Sequence, residues 1–155
     1  MKKYRVIEDL QGGDFGKHII LTTEEWRERA LEWASQDKND DLYDWVYCLK
    51  EDKVIETIGN IWGLEFKELT EEELFWVDKA EESFYKLKKI VDNFDGSLEE
   101  LCKQLKGHNL EDNLFDLNYD NIVVTIFKEF GTNKLHLSSW VEIWDNNDMI
   151  DTFLL

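Results

Sequence analysis

The apolar residues of this chain change their spacing once. Between about residues 26 and 105 they recur three and four positions apart, and from residue 122 they recur at every second position. A helix presents the same face about every 3.6 residues and a strand every second residue, so the two spacings require two kinds of element. The expected class is α+β: an N-terminal β-hairpin, central helices and a C-terminal antiparallel β-meander, gathered into one sheet packed against the helices. The chain has 155 residues and no internal repeat or linker, so residues 1–155 are read as a single domain.

Residues 3–8 and 17–21 are short β-branched runs on either side of a glycine-rich turn, Asp9 to Gly16, and read as the hairpin. Thr22 and Glu25 form a capping box, and Leu21 and Trp26 its apolar staple, opening a helix over about 23–35. Leu42, Trp45, Val46 and Leu49 mark a second helix. Val54, Ile55, Ile58, Ile61 and Trp62 mark a third, stopped by Gly63. A capping box at Thr70 and Glu73 opens a long helix to about residue 93, and Ser97 caps a short one carrying Leu98, Leu101, Cys102 and Leu105. His108 to Asp120 reads as a polar, acidic connection. Ile122, Val124 and Ile126 then alternate, as do Leu135, Leu137, Ser139, Val141 and Ile143, and Met149 to Leu155 supplies a third strand. Gly131-Thr132-Asn133 and Asp145-Asn146-Asn147-Asp148 are the hairpin connections.

Composition bears on function more than on fold. The chain carries 35 acidic against 18 basic residues, a formal net charge of -17, together with 7 Trp, 9 Phe and 5 Tyr and no proline. Acidic chains stay disordered when they lack apolar bulk, and this one has enough to build a core. Cys48 and Cys102 fall on apolar helix positions and are read as reduced core cysteines of a cytoplasmic protein. No window approaches the roughly 18 apolar residues of a membrane span. Lysine far outnumbers arginine, and Ile and Asn are frequent, the composition of AT-rich coding sequence such as that of a low-GC bacterium or its phage.

The motifs that carry chemistry fail on their spacing. Gly12-Gly13-Asp14-Phe15-Gly16 holds the letters of a kinase Asp-Phe-Gly triplet and of the start of a cyclase signature, without the phosphate loop, lysine or catalytic-loop residues that either requires, and reads as a turn. Asp37, Asn39 and Asp41 fit the first ligand places of a calcium loop, but Leu42 stands at its glycine position and Cys48 at its final glutamate. His18, His108 and His136 have no second ligand at helical spacing, and Gly107 separates Cys102 from His108. With so many acids, close carboxylate pairs arise by chance and nominate no acid–base couple. No catalytic residue, metal ion or cofactor is expected.

The charge itself remains as a signal. Residues 108–155 hold 2 basic and 9 acidic groups, so this part of the chain is the expected interaction face. Its partner-binding set is Asp112, Asp116, Tyr119, Asp120, Trp140, Glu142, Trp144, Asp145 and Asp148, with carboxylates supplying long-range attraction and aromatics short-range contact. Glu68, Glu71, Glu72, Asp78, Glu81 and Glu82 extend the acidic row along the long helix. A folded polyanion repels nucleic acid and attracts proteins that bind it. The expected function is therefore inhibition of a basic nucleic-acid-binding protein by nucleic-acid-mimicking electrostatics, as in phage inhibitors of CRISPR or restriction nucleases. An immunity protein against a toxin nuclease would use the same field, and a small-molecule binder or enzyme with an aromatic-lined pocket is the reading from a different class.

Overall fold

The computed structural model describes residues 1–12, 16–111, 114–129, 131–132 and 134–155. Gly13, Asp14 and Phe15 of the glycine-rich turn, Asn133 of the last connection but one, and Asp112 of the acidic set lie outside the described residues. The chain forms two compact units, Met1–Glu71 and Glu72–Leu155.

In the first unit, β1 (Lys3–Asp9), β2 (Ile20–Thr22) and β3 (Leu64–Glu68) make an antiparallel sheet in the order β2-β1-β3. The helices α1 (Thr23–Gln36), α2 (Asp40–Cys48) and α3 (Glu51–Trp62) lie between β2 and β3 in sequence. The capping box at the start of α1 is formed as expected: Thr22 Oγ1 accepts from the Glu25 amide at 3.3 Å, and Glu25 returns an oxygen to the Thr22 amide at 3.1 Å. Trp26, one turn on, is fully buried with Val6, Ala30, Val46, Val54, Ile58 and Leu64. Its indole donates to the Tyr4 carbonyl at 3.0 Å and its ring meets Phe66 edge-on at 5.0 Å, so the polar tip of a buried tryptophan is satisfied by the strand it covers.

The second unit contains α4 (Glu71–Asp92, all but its first residue), α5 (Leu98–Gln104) and an antiparallel sheet of β4 (His108–Glu111), β5 (Leu114–Tyr119), β6 (Ile122–Lys128), β7 (Leu135–Asp145) and β8 (Asp148–Leu154), paired in chain order. Phe115, Leu117, Ile122, Val124, Ile126, Val141, Ile143 and Phe153 are buried at alternate positions and form one face of that sheet. Val77, Ala80, Phe84, Leu87 and Val91 form the buried stripe of α4, and Leu98, Leu101 and Cys102 that of α5.

The α+β class, with its N-terminal hairpin, central helices and C-terminal meander, is the observed one, but three details differ. The strands form two sheets rather than one, because β3 leaves α3 through Gly63, whose φ of 65° turns the chain back along the vacant side of β1. His108 to Asp120 is not a connection: it supplies β4 and β5, in which Phe115 and Leu117 alternate with Asp116 and Asn118. In α2 only Val46 is fully buried; Trp45 is 55% exposed and Cys48 is exposed. Each residue turns a helix by about 100°, so a short helix covered from the Val46 side leaves its neighbour and the residue two on facing outward. Among the described residues no helix is long and apolar enough to cross a membrane.

Candidate functional site

Four of the expected binding residues, Asp116, Trp140, Glu142 and Trp144, gather on the second unit's sheet, on the face opposite its buried one. Register places Asn118 beside Val123, Val123 beside Glu142, and Glu142 beside Thr152, a row crossing four strands. One step along the strands, Asp116 pairs with Thr125 and Trp140 with Leu154. One step the other way lies Trp144, whose amide donates to the Asn121 carbonyl at 2.8 Å. Asp116, Glu142 and Trp144 are half-buried and Trp140 is exposed. Strand periodicity thus puts Asp116, Trp140, Glu142 and Trp144 on one surface.

The turns supply the remaining carboxylates. Tyr119-Asp120-Asn121-Ile122 closes β5 onto β6, with Asp120 at φ 55°, and Asn146, at φ 56°, closes β7 onto β8. Short Asn and Asp side chains tolerate this left-handed region, which is why these residue types form the turns. The Trp144–Asn121 hydrogen bond holds both turns at the same end of the sheet. Asp120, Asp145 and Asp148 are exposed there, whereas Lys128 and Lys134, the two basic residues of the C-terminal third, sit at the opposite end of β6 and β7. At that opposite end His136 and Thr132 hydrogen-bond Glu129 and hold its carboxyl below the usual range. Tyr119 shares the parity of buried Phe115 and Leu117 and is half-buried.

Local hydrogen bonds set the geometry of these acids. Thr125 Oγ1 donates to Asp116 at 2.8 Å, the Trp144 indole donates to Glu142 at 3.2 Å, and Ser83 Oγ lies 3.1 Å from Asp120 Oδ2. Among the described residues none of Asp116, Asp120, Glu142, Asp145 and Asp148 is in an ion pair. The acids of α4 are placed differently. Lys86 binds Glu82 at 3.1 Å and Lys88 binds Asp92 at 3.5 Å, so this row is interleaved with lysine. The Lys86 ammonium is raised above the ordinary lysine value, first by its hydrogen bond to Glu82 and least by Asp120.

A recess of about 350 Å³ opens between the two turns, lined by Asn118, Asp120, Ile122, Val123, Trp144 and Asn146. In the first unit an open cleft of about 850 Å³ is lined by Tyr4, Lys2, Thr22, Glu24, Glu51 and Asp52 among others. Each presents a single aromatic ring, unlike the tryptophan- and tyrosine-lined pocket expected of a small-molecule binder. Asn118 and Asn146 were not in the expected set; their signal in the sequence is their position, Asn118 just before the first turn and Asn146 within the second. The arrangement can present several carboxylates beside two indole rings, which suits recognition of cationic side chains. No protein-family model, curated protein or solved structure matches the chain.

Proposed function

We propose that the protein is an acidic interaction protein that inhibits a basic nucleic-acid-binding partner, a nuclease of the CRISPR or restriction kind, by placing carboxylates where that partner holds phosphates. The observation that supports this reading is the convergence of Asp120, Asp145 and Asp148 at one end of the sheet, with Lys128 and Lys134 at the other end. A net charge of -17 supplies the long-range attraction, and Trp140 and Trp144 on the adjoining face supply contact area once the partner has arrived. Mimicry has a specific competitor: nucleic acid itself. The immobilised protein should retain a basic nuclease at low ionic strength, duplex DNA should displace it, and the protein should inhibit that nuclease in cleavage assays. Retention that DNA leaves untouched, with cleavage proceeding normally, would sink the proposal.

A further inference from the structure

The first unit carries a second acidic surface, and it is built differently. The sequence of α2, Asp-Asp-Leu-Tyr-Asp-Trp-Val-Tyr-Cys, contains three aspartates, three large aromatics and no basic residue. Its inward side is fixed: Val46 is buried, the Asn39 side chain caps the first turn by accepting from the Leu42 amide at 3.1 Å, and Arg27 Nη1 donates to the Val46 and Tyr47 carbonyls at 2.8 and 3.2 Å. Its outward side exposes Tyr43, Trp45 and Tyr47 at 36%, 55% and 66%. Large aromatics are normally drawn into the core, so three on one anchored nine-residue helix are unusual.

Helical spacing sorts this surface into two strips. Tyr43 and Tyr47 are four residues apart, with rings nearly parallel at 10° and centroids 6.5 Å apart. Asp40 and Asp44, also four apart and both exposed, run alongside them, and Asp41 stands one turn before Trp45. Asp40 and Asp41 suit the first turn of any helix. Asp44 lies past that turn and repels Asp40 at the like-charge spacing of four, so helix stability does not account for it.

We propose that the outward face of α2 is a docking surface for arginine side chains of a basic protein partner, each guanidinium stacking on Tyr43, Tyr47 or Trp45 while donating to Asp40, Asp41 or Asp44. The commitment to arginine rests on the pairing of ring faces with carboxylates. Guanidinium is planar and weakly hydrated, so it stacks on an aromatic ring while its edge bonds a carboxylate, whereas ammonium is a compact, strongly hydrated charge that gains little from the rings. This deepens the reading of the protein as a binder of basic partners, on which it rests, by naming the chemistry and a surface separate from the sheet.

The test titrates the full chain with two peptides of equal charge, one alternating arginine with glycine and the other lysine with glycine. The expected result is binding about tenfold tighter for the arginine peptide. The variant Tyr43→Gln/Trp45→Gln/Tyr47→Gln should lose that preference while still binding the lysine peptide, and Tyr43→Phe/Tyr47→Phe should retain it. Circular dichroism of each variant separates lost docking from lost helix. Equal binding of the two peptides, abolished by salt, overturns the arginine assignment and leaves the electrostatic reading standing. An arginine preference that survives the glutamine variant overturns the placement on α2, and binding of neither peptide overturns both readings.

Discussion

Asp145 lies directly opposite Asp148 in the β7–β8 ladder, two like charges facing each other across a hairpin. Cross-strand like-charge pairs destabilise a sheet by up to about 1 kcal/mol. A change that relieves the repulsion should therefore stabilise the fold while removing part of the proposed binding surface. Asp148→Asn should raise the urea midpoint at low salt by an amount worth about 0.2–1 kcal/mol, and the gain should vanish near 1 M salt, where the screening length is about 3 Å. Asp145→Asn/Asp148→Asn should also weaken partner binding and flatten its salt dependence. Unchanged affinity in this double variant would place the interface elsewhere.

Ser83 couples α4 to the same end of the sheet. Its hydroxyl lies 3.1 Å from both Asp120 Oδ2 and Asn121 Oδ1, while Asn121 Nδ2 is buried without a partner. A hydroxyl has one proton, and the charged acceptor Asp120 is the stronger claimant for it. Turning the Asn121 amide over then lets Nδ2 donate to the serine oxygen, so that Ser83 donates to Asp120 and accepts from Asn121. Ser83→Ala should cost about 1–3 kcal/mol in urea unfolding, and Ser83→Ala/Asn121→Ala should cost less than the sum of its parts. Additive losses would show that the two side chains do not act together.

The two cysteines should behave as opposites. Cys48 is exposed, whereas burial, and secondarily the charge of Glu99, pushes the Cys102 thiol up to about 11. At neutral pH a thiol reagent should modify one cysteine in the native protein and both in denaturant. Because Cys102 is held protonated in the folded state, the unfolded chain loses that proton first as pH rises above about 9. Stability should then fall as pH climbs from 9 towards 11, and Cys102→Ala should remove this part of the slope. Rapid modification of both thiols in the native protein would contradict the burial of Cys102.

Much of the architecture was legible because its signals are local. Thr22 with Glu25, and Ser97 ahead of α5, mark helix starts by their own hydrogen bonds. The strand β5 escaped because its outward positions are Asp116 and Asn118, which resemble loop composition although Phe115 and Leu117 keep the two-residue period. The strand β3 escaped because its place is decided by pairing with β1, a contact distant in sequence. Trp45 fits an apolar stripe by spacing alone; that the core covers only the Val46 side of α2 follows from packing by other elements. At the candidate site, the shared face of Asp116, Trp140, Glu142 and Trp144 needed the register between β5, β6 and β7.

Gly59 provides a test in which two general rules oppose each other. It lies inside α3, where replacing glycine by alanine ordinarily stabilises a helix by about 0.5–1 kcal/mol. Here a Cβ would stand 2.7 Å from the carbonyl oxygen of Leu64, the first residue of β3, because the chain reverses at Gly63 and runs back beside the helix. The obstruction is backbone, which cannot rotate away as a side chain can, so α3 and β3 must separate. That shift loosens the packing of Ile58 and Leu64 in the buried cluster. Overpacking of this kind costs about 1–3 kcal/mol and outweighs the helical gain. Gly59→Ala should therefore lower the urea midpoint, and hydrogen exchange should accelerate along β3 and its partner β1. A stabilised Gly59→Ala protein would mean that α3 and β3 lie farther apart than this close approach implies.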